Sequence, residues 1–486
     1  MEPDIAPGQE RTQSPLFYLW HLVSIGLLDA QRPGVVPPIW SKGLPESRVA
    51  IIDSGCTSRH PNLPAACIEA RLDVAVSTEG VVYRKEDLRA ARDGWQNLET
   101  AMAPILKTIA DDDVRDDIAR RVKAMSGGEP RLVKAADPAE HFAGHGTSCA
   151  GLIAGRTLTK TPAGSAPALD GAVLPYFGVN PFATIIPVAT PYSHEIAPLV
   201  TALLHAVACR ADVILLPRSV NDLSRLARGK NASGTDVRMT RFDDDQALAT
   251  DKKVFEHLLA AIAADRPVVL AAGNDGMAEP AYPAALATAT DAPFGATSLI
   301  VVGAGNQLGW RSAYSSGTYA SGVTIYGPSD DEAMITDQVV RIDLAAEMGR
   351  AIASSVGPAI AKAGAEYSPF SVLAIDVPAR LAGDADVIDD ITPLPTVLLY
   401  TRFGGTSAAS ALIAGLASLI QAKALADGNK RYSGSQLREL LLSKRPAELV
   451  LTSSDSSGES DSKRAIGVPP PPPAYIKIGD VVSNKP

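Results

Sequence analysis

The 486-residue chain is poor in several things, and each scarcity removes a class of function. It holds four cysteines, Cys56, Cys67, Cys149 and Cys209, with no CxxC pair or other zinc spacing. We read them as free thiols of a reducing compartment, with a Cys56–Cys67 bridge left open by the sequence. Aromatic residues make up 5%, too few to suggest a base-stacking surface. The net charge is -9 and no long Lys/Arg block occurs, so the basic stripe that nucleic acid requires is missing. We expect no nucleic-acid partner. Long apolar runs are scarce too. The strongest near the N-terminus, Pro15 to Leu28, is short for a bilayer. It follows an acidic start (Glu2, Asp4) and lacks a small-residue cleavage site, since Asp29 comes next. It reads as a structural helix packed on the domain. We therefore expect no membrane partner and a soluble, cytoplasmic protein.

What is present is a large apolar fraction, 46%, in a recurring pattern. Short apolar runs, Arg48–Asp53, Ala183–Val188, Asp212–Leu216, Pro267–Ala272 and Leu299–Gly303, alternate with helical stretches at Ile196–Cys209 and Val254–Ala264. Continuous apolar runs of this length suit parallel strands buried on both faces. Their alternation with helices predicts an α/β fold with a doubly wound parallel sheet. In such sheets ligands sit beyond the carboxyl ends of the strands.

Four stretches carry candidate polar residues, three of them at or just after such strand ends. Asp53 closes the first strand and is followed by Ser54-Gly55; a turn or cap residue is the plainer reading. His145 lies among glycines in AGHGTSCAGLIAG; a lone histidine is more often structural. Asn274 follows the strand PVVLAA in a glycine-rich loop. Ser407 opens a small-residue helix after Gly404-Gly405, with Thr406 as a natural N-cap. Free N–H groups in the first turn would stabilise a developing negative charge there. Singly, each is weak.

Taken in order, AIIDSG around Asp53, HGTSCAG from His145, LAAGNDG around Asn274 and GTSAASALIAG around Ser407 resemble the motifs of the subtilisin-like serine peptidases, the subtilases (peptidase family S8). The resemblance spans roughly residues 18–73, 141–217, 254–328 and 401–445. It implies a serine endopeptidase with a subtilisin-like fold, helices on both faces of the sheet, and a protein or peptide substrate. Ser407 would be the nucleophile, His145 the general base and acid, Asp53 its orienting partner and Asn274 an oxyanion donor. No cofactor is required by this chemistry; structural calcium is an expectation the resemblance allows. The acidic runs Asp111–Asp113 and Asp243–Asp245 lack the alternating spacing of a calcium loop. GTS occurs twice, and Ser148, three residues from His145, is read as structural. His141 and His145 are four apart, but no glutamate lies between them and Gly144 and Gly146 argue against a helix there, so zinc is set aside.

The chain also departs from the family. Ala411 stands where proline is usual, and Cys149 where a small aliphatic residue is usual. Pro217-Arg218 replaces the usual run in the cleft wall, removing a backbone donor and adding charge. We read residues 1–452 as the peptidase domain with insertions at about 74–140, 221–253 and 329–396. Residues 453–486 form a Ser/Asp- and Pro-rich tail, its five-proline run Pro469–Pro473 a spacer or crossing strap. The short stretch before Asp53 fits an intracellular type without a prodomain. Activity would then be restrained by an insertion, foremost 221–253, or by a regulatory protein partner. Two other readings stand beside this one: a catalytically idle binding scaffold, and a maturation peptidase dedicated to one partner.

Overall fold

The computed structural model describes residues 19–28, 37–40, 44–132, 143–156, 174–220, 229–230, 236–237, 246–335, 341–343, 371–377, 399–446 and 475–478, with short breaks inside these spans. Its centre is a nine-stranded sheet. In chain order the strands are β1 (Arg48–Asp53), β2 (Leu72–Asp73), β3 (Val81–Val82), β4 (Arg131–Leu132), β5 (Thr184–Ala189), β6 (Val213–Leu216), β7 (Val268–Ala271), β8 (Ile300–Gly305) and β9 (Ile325–Pro328). Their spatial order is β9-β8-β7-β6-β1-β5-β2-β3-β4. All pairings are parallel except β2 with β3. The α/β architecture and the parallel core expected from the sequence are present. β1 lies between β5 and β6, and Val49, Ala50, Ile51 and Ile52 are all buried. Successive side chains point to opposite faces, so both faces of β1 are covered.

Two groups of helices provide the cover. One pairs α5 (Gly144–Ala154) with α8 (Gly405–Ala426), and α8 also lies against β1 and β6–β9. The other comprises α6 (Ala197–Ala208), α7 (Gln246–Asp265) and α9 (Gly434–Lys444), joined by α2 (Lys85–Gln96), α3 (Leu98–Leu106) and α4 (Asp112–Ser126). α1 (Trp20–Ser24) is shorter than the Pro15–Leu28 run suggested. Among the described residues α8 is the one helix long and apolar enough to cross a membrane, and it is almost wholly buried inside this fold. Small residues make that possible. A Cβ on Gly415 would lie 2.7 Å from Val179 Cβ, and a Cβ on Gly327 would lie 2.7 Å from the Ala409 carbonyl oxygen.

The stretch Lys85–Ser126 forms three helices. Asn97 ends α2 and precedes α3, and Asp111 starts α4 by accepting the Val114 N–H at 3.1 Å. Asp111 also pairs with Lys253 at 2.7 Å, so one acidic residue considered for calcium serves as a helix cap. Asp243–Asp245 lies outside the described residues. So do His141 and the proline run; most of the 221–253 insertion does too. Tyr475 and Ile476, past the proline run, are buried; the Tyr475 hydroxyl donates to the Asn306 carbonyl and Ile478 N–H to the Ile25 carbonyl at 2.9 Å.

The segment 74–140 is joined to the core through polar contacts as well as apolar ones. Trp95 of α2 donates its indole N–H to His205 Nδ1 at 3.0 Å, and His205 Nε2 donates to the Ala70 carbonyl at 2.7 Å. Burial lowers the His205 pKa to about 4, which keeps it neutral and able to play both roles. We expect Trp95→Ala to destabilise the chain by about 3–5 kcal/mol, the usual cost of deleting a buried aromatic side chain. Equilibrium urea unfolding measures it; a change within about 0.5 kcal/mol, the range of ordinary surface substitutions, would show that these helices sit loosely on the sheet.

Candidate active site

Asp53 ends β1, and its side chain has no exposed surface. One carboxylate oxygen accepts the Ser54 N–H at 2.5 Å, and the other meets His145 Nδ1 at 2.8 Å. A carboxylate can only accept, so Nδ1 carries the proton and Nε2 is left as the basic nitrogen. Burial favours the neutral form of Asp53. The charge and hydrogen bond of His145, with the Ser54 N–H, outweigh it and hold the carboxyl below its ordinary range. At His145 burial disfavours the imidazolium, but Asp53 outweighs it and raises the pKa above the ordinary 6.5; Arg218 opposes that rise.

His145 sits in the first turn of α5, which begins at Gly144. The glycines were expected to argue against helix at this point. Tertiary packing reverses that expectation: a Cβ on Gly146 would collide with the Gly55 carbonyl oxygen, so glycine is what lets α5 reach the end of β1. Ser148, on the same helix, donates to the Ile375 carbonyl at 2.9 Å. Its hydroxyl is thus committed to the strand β10 (Val372–Ile375), which pairs antiparallel with β11 (Tyr400–Phe403). All four cysteines are buried thiols. The donor atoms of Cys149, Asp53 and His145 lie within 4.8 Å of one another. Burial keeps the Cys149 thiol protonated, and the Asp53 oxygens are already engaged, so this donor set suits a metal poorly.

Phe403 packs edge-on against His145, with ring centroids 5.3 Å apart. β11 then runs through Gly404 and Gly405 into α8, with Ser407 in its first turn. The Ser407 hydroxyl donates to the Pro217 carbonyl at 2.7 Å. Pro217 follows β6, and the next residue, Arg218, donates to Thr190 Oγ1 at 2.7 Å and to the Pro191 carbonyl at 2.9 Å. Thr190 in turn donates its N–H to the Asp53 carbonyl at 2.7 Å. The cleft-wall residues that depart from the family pattern therefore tie the serine side of the site to the aspartate side.

Asn274 lies past the end of β7, beside Gly273 with φ +103. Its Oδ1 accepts both the N–H and the hydroxyl of Thr406, at 2.9 and 2.8 Å. The N-cap of α8 is Gly404, with no side-chain cap. The Thr406 hydroxyl, expected to cap the helix, fixes Asn274 instead and accepts the Gly273 N–H at 3.1 Å. This bonding orients Asn274 with its Nδ2 next to Gly405 and without an acceptor among the described residues. In the first turn of α8, the Gly405 N–H meets Tyr314 and Asp330, the Thr406 N–H meets Asn274, and the Ala408 N–H meets the Gly404 carbonyl. The Ser407 N–H has no protein acceptor among the described residues. Thr190, Tyr314 and Asp330 were not legible as site residues, because each acts across a long sequence separation and carries no local signature.

The structure thus brings Asp53 and His145 into direct contact and sets Ser407 and Asn274 on the adjoining helix start and loop. The fold is similar to that of the epidermin leader peptide processing serine protease EpiP from Staphylococcus aureus. That likeness has a TM-score of 0.51 at 12% identity, covering 98% of this chain and 83% of that one. The nisin leader peptidase NisP from Lactococcus lactis aligns at TM-score 0.47 and 15% identity, over 96% of this chain and 94% of that one. No curated protein sequence matches the chain. The family model of the subtilases matches residues 46–468, and the chain belongs to the subtilase family of serine proteases.

Proposed function

We propose that the protein is a serine endopeptidase that cleaves peptide bonds through an acyl-enzyme on Ser407. The observation that carries this reading is the 2.8 Å bond between buried Asp53 and His145 Nδ1, which leaves Nε2 basic on a ring packed against Phe403, just ahead of the Ser407 turn. A serine hydroxyl is a weak nucleophile and needs its proton removed during attack. In the resting geometry that proton points to the Pro217 carbonyl. Rotation about the Cα–Cβ bond of Ser407 hands it to His145 Nε2. Asp53 then stabilises the imidazolium, and His145 returns the proton to the leaving amine. The Ser407 N–H and Asn274 Nδ2 donate to the oxyanion, at a helix start whose dipole favours negative charge. Arg218 places a positive charge at the cleft wall. No metal or cofactor enters any step, and the partner is a protein or peptide substrate.

The test is labelling of the full chain with a phosphonofluoridate, with hydrolysis of a casein or peptide pool followed in parallel. We expect the wild type to be labelled and to cleave, and Ser407→Ala to do neither. A wild type that binds peptides but is not labelled would favour the idle scaffold. Asn274→Ala should lower kcat by about 10²–10³, a magnitude established in subtilisin itself, with little change in KM; a loss carried by KM would remove Asn274 from the oxyanion role.

The pH profile follows from the His145 environment. The base must be neutral, so activity falls as pH drops through its pKa, which Asp53 holds above 6.5. The acid limb of kcat/KM should therefore lie above 6.5 in the wild type. It should move lower in Asp53→Asn, together with a large loss of rate, and higher in Arg218→Gln, because Arg218 opposes the imidazolium. A limb that stays put in both variants would show that His145 is not the titrating base.

A further inference from the structure

We propose that Asp330 is a positioning residue that, with Tyr314, holds the Ser407 turn in its reactive shape; the inference rests on Ser407 being the nucleophile. The turn depends on Gly405, whose φ of +73 is in the left-handed region. Both peptide groups flanking Gly405 are held from one side. Its N–H is shared between Asp330 Oδ1 at 3.1 Å and the Tyr314 hydroxyl oxygen at 3.0 Å. Its carbonyl accepts from the Ser329 hydroxyl at 2.8 Å. Tyr314 donates its own proton to Asp330 Oδ1 at 2.6 Å. Burial, and then the charge of Asp330, push the Tyr314 phenol well above its ordinary pKa, so it remains a donor. A Cβ on Gly404 would collide with the Asp330 carboxylate, so the fit leaves no room for another residue.

The second oxygen of Asp330 closes a ring. Oδ2 accepts from the Ser371 hydroxyl at 3.2 Å, and the Ser371 carbonyl accepts from Arg402 Nη1 at 3.2 Å. Arg402 belongs to β11, the strand that delivers Gly404 and Gly405. One carboxylate therefore touches the turn directly and also braces the hairpin that leads into it. Asp330 and Ser371 bracket most of the third insertion, so that segment is rooted at the nucleophile. Thr406 and Ser407 follow the held peptide immediately. A shift of Gly405 thus moves Asn274, through Thr406, and the Ser407 N–H together.

Misplacement of reacting groups by about 1 Å costs on the order of 10²-fold in rate. The experiment compares Asp330→Ala, Asp330→Asn and wild type, as full chains, by kcat per active site titrated with a phosphonofluoridate, KM on one peptide ester, and thermal midpoint. We expect Asp330→Ala to lose about 10- to 100-fold in kcat per titrated site, with KM within about two-fold. Asparagine keeps an oxygen that accepts the Gly405 N–H, so Asp330→Asn should recover most of that loss. A residue with a purely structural role would lower the thermal midpoint and the titrated fraction but leave kcat per site unchanged; that result overturns the proposal, as does Asp330→Asn falling as far as alanine. If Asp330→Ala does not fold, Tyr314→Phe is judged by the same measure, and an unchanged kcat per site overturns the proposal. A wild type unlabelled at Ser407 overturns the nucleophile assignment and this inference with it. A labelled wild type with unaffected Asp330 variants overturns this inference alone.

Discussion

A carboxylate with no exposed surface sits at the end of a strand covered on both faces, and much of the surrounding structure is arranged to tolerate it. An isolated buried charge would cost far more than the marginal stability of a fold, so Asp53 requires partners. It has a backbone donor from Ser54 and the ring N–H of His145. The second partner comes from a separate element, the helix α5, and bringing it near constrains that helix closely. α5 must approach the β1 turn until backbone meets backbone, which only glycine at position 146 permits. The same contact that compensates the buried charge sets the ring tautomer and raises the basicity of Nε2. Stability of the site and its chemical potential therefore come from one hydrogen bond.

The start of α8 follows the opposite logic. Helix termini normally have their free N–H groups satisfied. Here three of the first N–H groups have protein acceptors, and the one belonging to Ser407 has none among the described residues. Leaving a donor open is useful only if the backbone carrying it cannot relax away. Gly405 is held at both its N–H and its carbonyl, and Thr406 is tied to Asn274 through its N–H and its hydroxyl. The donors are thus pre-oriented, which is the condition for electrostatic stabilisation without reorganisation.

The parallel sheet was legible in the sequence because buried parallel strands produce continuous apolar runs, and β1, β5, β6, β7 and β8 all fall on such runs. Asp53, His145, Asn274 and Ser407, each weak alone, were legible because their flanking motifs, taken in order, resemble those of the subtilases. Local rules misled where a distant contact decided the outcome. Gly146 lies within a helix, against its propensity, because the Gly55 carbonyl is on the other side. The Thr406 hydroxyl goes to Asn274 instead of capping its helix. Tyr314 and Asp330 had no signature at all, since their contacts with Gly405 span 91 and 75 positions.

The same reasoning bears on the places where the chain leaves the family pattern. Pro217 has no N–H to offer, yet its carbonyl receives the Ser407 hydroxyl. Arg218 adds a charge that works against the imidazolium, yet its guanidinium is bonded to Thr190 and Pro191 beside the aspartate strand. A substitution that only filled space would not need bonds to both sides of the cleft. The wall acts as a brace between β5 and β6 while lowering the basicity that Asp53 raises. At the far side, Asp330 and Ser371 brace the β10–β11 hairpin against the Gly405 turn. The site is thus supported from two directions, by the wall between β5 and β6 and by the β10–β11 hairpin.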